Sequence, residues 1–270
     1  MSFLDKELSI FGGSPVELYE FTVPGAAWRY TTDDRITVFN GADYMPVSDL
    51  KRGSIKVSTQ AARTPITIRM RGNAEIADQF RVSAPSSPVA LTIFKKHRTD
   101  ADFVVRWKGR VSSCQWVGDF ANFTCSPISS TMKQPGLRRA YQYQCPYALY
   151  DTKCRVDRSA YEVFSEVSSI AGSVIGVVGV GIMPAQYFWG GYILWETVTG
   201  RQETRMIMQT AGDLLTLQNA TVGLALGDVV RLYPGCDHTI KTCYDTFANA
   251  DRYGGFPLIP KINPFGSTIY

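Results

Sequence analysis

Four of the six cysteines fall into two remote pairs. Cys145 and Cys154 stand nine positions apart, and Cys236 and Cys243 stand seven apart, directly after the Pro234-Gly235 turn. About eighty residues separate the pairs. Thiolates bind soft metals, and four converging thiolates suit a zinc ion or an iron–sulfur cluster. The arrangement predicts that the pairs meet at one metal centre, with the segment between them looped out as a domain. Structural zinc usually takes short knuckles with about two to four residues between ligands. The gaps here are eight and six residues. A cube-shaped cluster is larger than one ion and accepts ligands from wider loops. Spacing alone leaves cluster, zinc and unliganded thiols all open.

Other chemistry finds little support. Cys114 and Cys125 lie in successive candidate strands and read as buried thiols packed as small hydrophobes. His97, within Lys95-Lys96-His97-Arg98, reads as part of a solvated basic turn. His238 lies between two candidate ligands. It reads as an exposed loop residue, with a hydrogen-bond donor behind the ligands as the alternative. No nucleophile elbow, H-E-x-x-H or phosphate loop occurs. Asp33-Asp34 and Asp151 lack partners for an acid/base pair, and Gly254-Gly255 reads as a turn. Lys51-Arg52 and Arg138-Arg139 read as solvated faces rather than nucleic-acid contacts. No catalytic residue is predicted.

Composition bounds the rest. The 270 residues suit two domains or one large β domain, and 45% hydrophobic content supplies real cores. Charged residues are 19%, below the usual quarter, which leans toward an assembled subunit. A net charge of +4 is too mild for a dedicated nucleic-acid binder. Met1 to Glu7 carries acidic residues where a signal peptide has basic ones, so synthesis and retention in a cytoplasm are expected. Six cysteines in a reducing compartment favour thiols or metal ligands over disulfides. The uncharged run Val167 to Gln186 is long enough for a membrane helix. Its four glycines, serines and β-branched residues predict buried β-structure instead.

The elements that must position the cysteines read as β. Val16–Val23 alternates apolar with polar, Pro24-Gly25 breaks it, and Arg35–Phe39 precedes the hairpin signal Asn40-Gly41. Ile66–Arg71, Val89–Phe94, Phe103–Val111 and Phe120–Cys125 follow. One short helix is predicted over Asn73–Phe80, with Asn73 as its cap. Gly190–Val198, Glu203–Met208, Leu214–Leu217 and Gly227–Tyr233 are short strands of a second small barrel or sandwich. Prolines hold Phe256 to Phe265 extended.

Trp28-Arg29-Tyr30-Thr31-Thr32, Tyr44-Met45-Pro46-Val47 with Lys51-Arg52-Gly53, and Gly109-Arg110-Val111 resemble a phage tail-tip hub family. More specific are Gly227-Asp228, Pro234 to Thr239, Cys243, Phe247-Ala248-Asn249 and Gly254 to Pro260. The set resembles hub proteins of gene transfer agents and siphophages, and is similar to the tail tip protein L group of lambda-like phages. The resemblance implies a mainly β chain: two small tube-like β-barrel or sandwich hub domains joined at a four-cysteine centre, with an extended C-terminal tail. The expected parts are a first hub domain over 1–140, the first cysteine segment over 141–155, a second hub domain over 156–235, and the second pair with the tail over 236–270. The resemblance implies a [4Fe–4S] cluster on Cys145, Cys154, Cys236 and Cys243, with zinc as the alternative. It implies a non-enzymatic homotrimer at the virion tail tip, made in a bacterial cytoplasm and not inserted in a membrane. The implied partners are the distal tail protein and hexameric tail tube, and a threefold central tip or fibre protein. The tape measure protein and DNA would occupy its channel only in passing. A soluble iron–sulfur redox protein and a zinc-stapled adaptor are the competing expectations.

Overall fold

The computed structural model describes residues 3–9, 13–56, 64–98, 102–133, 140–184, 186–198 and 200–260. The chain divides into two compact units, residues 1–134 and 135–270.

The first unit is built on α1 (Phe3–Leu8), β1 (Pro15–Val23), β2 (Ala26–Thr31), β3 (Thr37–Phe39), β4 (Ala42–Pro46), β5 (Lys51–Arg52), β6 (Ile66–Arg71), α2 (Glu75–Asp78), β7 (Ala90–His97), β8 (Phe103–Val117) and β9 (Phe120–Pro127). The strands form a nine-stranded sheet in the order β3-β4-β2-β1-β7-β8-β9-β6-β5. It is mixed, because β2 and β4 run parallel. Strand β6 behaves as its alternation predicts: Ile66, Ile68 and Met70 are buried and the residues between them exposed. Strand β1 is buried on both faces rather than one. Tyr19, Phe21 and Val23 enter the main core with β6 and β9, while Val16 and Leu18 pack on Phe39 and Tyr44. Asn40-Gly41 joins β3 to β4 with both φ positive, as the hairpin signal requires.

Two local expectations change in this unit. Helix α2 is only four residues long, and Ala74, not Asn73, holds its cap position. The Ile76 N–H donates instead to the Tyr30 hydroxyl at 3.2 Å, so a remote strand satisfies the helix end. His97 is buried, not solvated: its Nδ1 accepts from the Ser14 N–H at 3.2 Å, and Nε2 lies 3.3 Å from a Glu7 carboxylate oxygen. Asp33 and Asp34 form ion pairs with the Arg98 guanidinium, which is not an acid/base pair, so that expectation is unchanged.

The second unit contains β10 (Val163–Ala171), β11 (Val174–Val177), β12 (Tyr192–Glu196), β13 (Gln202–Ala211), β14 (Leu214–Leu217), β15 (Val229–Tyr233) and α3 (Ile240–Asp245). Its six strands close into a barrel in the order β10-β11-β14-β13-β12-β15. Closure removes the edges that an open sheet would expose. The apolar run Val167 to Gln186 becomes the end of β10, all of β11 and a 3-10 turn. No helix among the described residues is long and apolar enough to cross a membrane.

Strand β13 reverses the face that hydropathy suggests. Met206 and Met208 point outward, whereas Glu203 and Arg205 lie inside with Ile207. Glu203 sits between two buried guanidinium groups, 2.6 Å from Arg201 and 2.9 Å from Arg205. The Arg205 guanidinium also lies over the Trp195 ring at 5.6 Å. Removing one member of a buried ionic set leaves uncompensated charge, at a cost of about 3–5 kcal/mol. Glu203→Ala is therefore expected to lower the barrel's unfolding free energy by about that amount, and Glu203→Gln by less. Urea unfolding measures both; a loss under about 1 kcal/mol for Glu203→Ala would show that the guanidiniums reach water.

Candidate metal centre

Barrel closure sets the site. Strands β10 and β15 pair antiparallel, with Val163 opposite Leu232, so the chain enters and leaves the barrel side by side. Cys154 lies just before that entry and Cys236 just after the exit. The exit is seated by close backbone approach: Gly235 N–H donates to the Tyr187 C=O at 3.0 Å. A Cβ on Gly191 would collide with the Tyr233 carbonyl, and one on Gly235 with the Trp189 carbonyl.

Each cysteine is presented by a local structure. Asp151 builds the turn that carries Cys154; its carboxylate accepts the Lys153 N–H at 2.8 Å and the Cys154 N–H at 2.6 Å. Cys243 lies on α3, capped by the Thr239 side chain, which accepts the Thr242 N–H. The Cys145 N–H donates to the His238 C=O at 2.9 Å, which ties the first pair's segment directly to the second's. The Tyr253 hydroxyl lies 3.0 Å from that same carbonyl and 2.9 Å from the Tyr143 carbonyl, and donates to one at a time.

All four cysteines line one nearly filled pocket, with a cavity of only about 10 Å³ between them. Leu149, Val156 and Phe247 supply apolar wall, and Cys154, Val156 and Phe247 form a small buried cluster of their own. Protein N–H groups face three of the sulfurs. His238 N–H lies 3.3 Å from Cys236 Sγ, Gly254 N–H lies 3.4 Å from Cys145 Sγ, and Asn249 Nδ2 lies 3.8 Å from Cys154 Sγ. The fourth thiol, Cys243, donates to the Asn249 C=O at 3.3 Å. Burial pushes the Cys243 thiol up to about 11, and the facing thiols Cys236, Cys154 and Cys145 push in the same direction. Burial also raises Cys236, partly offset by the His238 N–H.

Among the described residues, no three His, Cys, Asp or Glu side chains stand close enough to hold a single metal ion. Cys114 and Cys125 are in the other unit, on β8 and β9. Burial raises their thiols to about 11 and about 12, as expected of inert packed cysteines. His238 is half-buried rather than exposed, and it lines the cysteine cavity. Its backbone N–H supplies the donor behind Cys236, while its Nδ1 is buried with no hydrogen-bond partner among the described residues.

Three residues of the site carry roles that spacing did not assign. Asn249, Tyr253 and Gly254 connect the segments; Asn249 and Gly254 stand in stretches that carry the family resemblance, but with no role assigned at the cysteines. A Cβ on Gly254 would collide with the Tyr147 ring, so glycine is required for its N–H to reach Cys145. The start of the C-terminal tail packs on the segment before Cys145: the Phe256 ring lies tilted against Tyr141 at 4.2 Å, and its N–H donates to the Gln142 C=O at 2.9 Å. Residues 261–265 of that expected extended tail lie outside the described residues, as do Arg138 and Arg139.

A family model described as "Baseplate hub protein, N-terminal attachment domain" matches residues 17–157, just over half of the chain. A second, described as "Phage conserved hypothetical protein BR0599", matches residues 186–263. The first match contains Cys145 and Cys154, the second Cys236 and Cys243. An uncharacterized protein of Xylella fastidiosa (strain 9a5c) is 26% identical over 185 residues. That alignment covers 63% of this chain, which spans 38% of the length of this curated relative. A solved structure, the virion of the native gene transfer agent particle, contains a chain of similar fold. Its TM-score is 0.78 at 18% identity, over 99% of this chain and 95% of that one. The chain belongs to the phage baseplate hub protein family, whose members are structural components of the virion tail.

Proposed function

We propose that the chain is the hub of a phage or phage-like tail tip, stabilised by a [4Fe–4S] cluster on Cys145, Cys154, Cys236 and Cys243. Three copies form a ring that joins the hexameric tail tube and distal tail protein to a threefold central tip or fibre protein. The channel passes the tape measure protein and DNA. Family membership and the gene transfer agent likeness support the hub. The two β units support the ring: a sixfold tube offers six docking surfaces, and three subunits meet all six by presenting two domains each. Closed rotational symmetry also avoids the open filaments that unpaired heterologous interfaces produce.

The observation that carries the cluster is the single cavity lined by all four thiols. The preference for a cluster over zinc rests on the resemblance to the lambda-like tail tip group and on pair gaps wider than zinc knuckles. N–H groups facing sulfur suit thiolate ligands, because they stabilise the negative charge that metal binding demands. When bound, the cluster supplies four iron–thiolate bonds that cross-link the two segments. The chain's own residues do the rest. Asp151 and Thr239 fix the two ligand-bearing turns, Leu149 and Phe247 limit water, and Gly254 and His238 aim backbone donors at sulfur.

Anaerobically purified protein is expected to be brown and to hold about four irons per chain. Colourless protein with stoichiometric zinc would overturn the cluster and keep the cross-link. Cys236→Ser should lose the iron and lower particle yield, yet leave the barrel's circular dichroism intact. Cys114→Ala and Cys125→Ala should retain iron and cost about as much as small core changes, roughly 1 kcal/mol each. In a tail-tip reconstruction, three copies with two β domains each in the ring are expected. Six copies, or one β domain per copy in the ring, would refute the ring.

A further inference from the structure

Asn249 is 9% exposed and touches both cysteine pairs. Its Nδ2 donates to the Cys154 C=O at 2.8 Å and reaches Cys154 Sγ at 3.8 Å. An amide nitrogen carries two hydrogens, so both contacts can be made at once. Its backbone N–H donates to the Cys243 C=O at 3.0 Å, and its C=O accepts from the Cys243 thiol at 3.3 Å. The chain reaches this position by a sharp reversal after α3, through Ala248 at φ 48°. A non-glycine residue in that region is uncommon and carries strain, which the surrounding contacts must hold.

We propose that Asn249 is the positioning residue of the cysteine centre: its side chain holds Cys154 and its backbone holds Cys243, so the two pairs are registered before any metal binds. The inference rests on the reading that these cysteines form one centre, and it adds the group that aligns them. The division of labour within the residue makes it specific. A substitution removes only the Cys154 contacts; those to Cys243 belong to the main chain and survive. Cys145 and Cys236 are held by the N–H groups of Gly254 and His238 and do not depend on Asn249. No apolar or acidic residue of similar size reproduces the amide. Leucine donates nothing, and aspartate would set an acceptor against the Cys154 carbonyl, leaving a buried group unpaired.

Two measurements test this, and only one of them requires a metal. In metal-free protein, the rate of modification of each cysteine by a small thiol reagent is followed by mass spectrometry for wild type, Asn249→Ala and Asn249→Asp. Cys154 is expected to react at least about tenfold faster in both variants, a shift of about 1.4 kcal/mol in its protection. Cys145 and Cys236 should keep their wild-type rates, and circular dichroism should show the barrel folded. Equal acceleration of all four cysteines would mean that Asn249 merely stabilises the unit, and unchanged Cys154 would mean that it holds nothing. Either result overturns the proposal. In protein reconstituted with iron and sulfide, Asn249→Asp should lower the reduction potential and speed iron loss to a chelator, because a donor near Cys154 sulfur is replaced by a negative charge. A reconstituted Asn249→Asp protein identical to wild type in both properties would also overturn it. If wild type binds no iron, the cluster reading fails, while the metal-free labelling still decides the role of Asn249.

Discussion

The pairing of β10 with β15 is the constraint on which the cysteine site depends. Val163 stands opposite Leu232 and Glu166 opposite Val229. A barrel must close somewhere, and this one closes between its first and last strands, so both ends of the inserted chain emerge together. Closing a loop of this length costs conformational entropy that grows slowly with length. That cost is met by the barrel's own hydrogen bonds and core, not by the cysteines. Spacing alone suggests that the metal centre closes the long loop. With the ladder in place, only the short segments from Cys154 to Val163 and from Tyr233 to Cys236 remain for the centre to order. The contribution of a proposed centre would then be local, so loss of a ligand is expected to be separable from loss of the barrel.

Much of the fold was legible because alternation, turns and apolar content agree. Strand β6 and the Asn40-Gly41 hairpin follow directly from residue pattern. Where reading failed, at His97 and at the helix cap, the deciding partner was remote. His97 sits in a basic tetrapeptide, and its burial depends on Ser14 and Glu7, more than eighty positions away. The Asn73 cap was displaced because the Tyr30 hydroxyl reached the helix end first. In β13, Ile207 shares a face with Glu203 and Arg205, while Met206 and Met208 share the other. Hydropathy favours burying the methionines. The Arg201–Glu203–Arg205 set, on alternate residues of one stretch, favours the opposite face by pairing its charges locally.

The candidate site divides the same way. The four thiols were legible from type and spacing, since nothing else in the chain offers soft ligands in two pairs. The groups that register them were not. Asn249, Tyr253 and His238 act through main-chain or amide hydrogen bonds, and those bonds leave no periodic signature. Asp151 had the right residue type for chemistry and turned out to shape a turn. One of its oxygens accepts the N–H groups of Lys153 and Cys154.

A cross-link at this position has a mechanical consequence for a hub. In the absence of the centre, tension applied between Cys145 and Cys243 must pass through the barrel, beginning at the β10–β15 ladder. That ladder would open under load one hydrogen-bonded pair at a time. Were both pairs bound to one cluster, as proposed, the load path would run from one ligand segment to the other and spare the barrel. The hydrogen bond from Cys145 to His238 and the Asn249 contacts already mark out that shorter path. They are too weak to carry much force alone, at about 1 kcal/mol net each. They are well suited to hold the thiols in register so that a stronger link forms there. On the proposed reading, a centre held by all four thiols would make two remote segments behave as one.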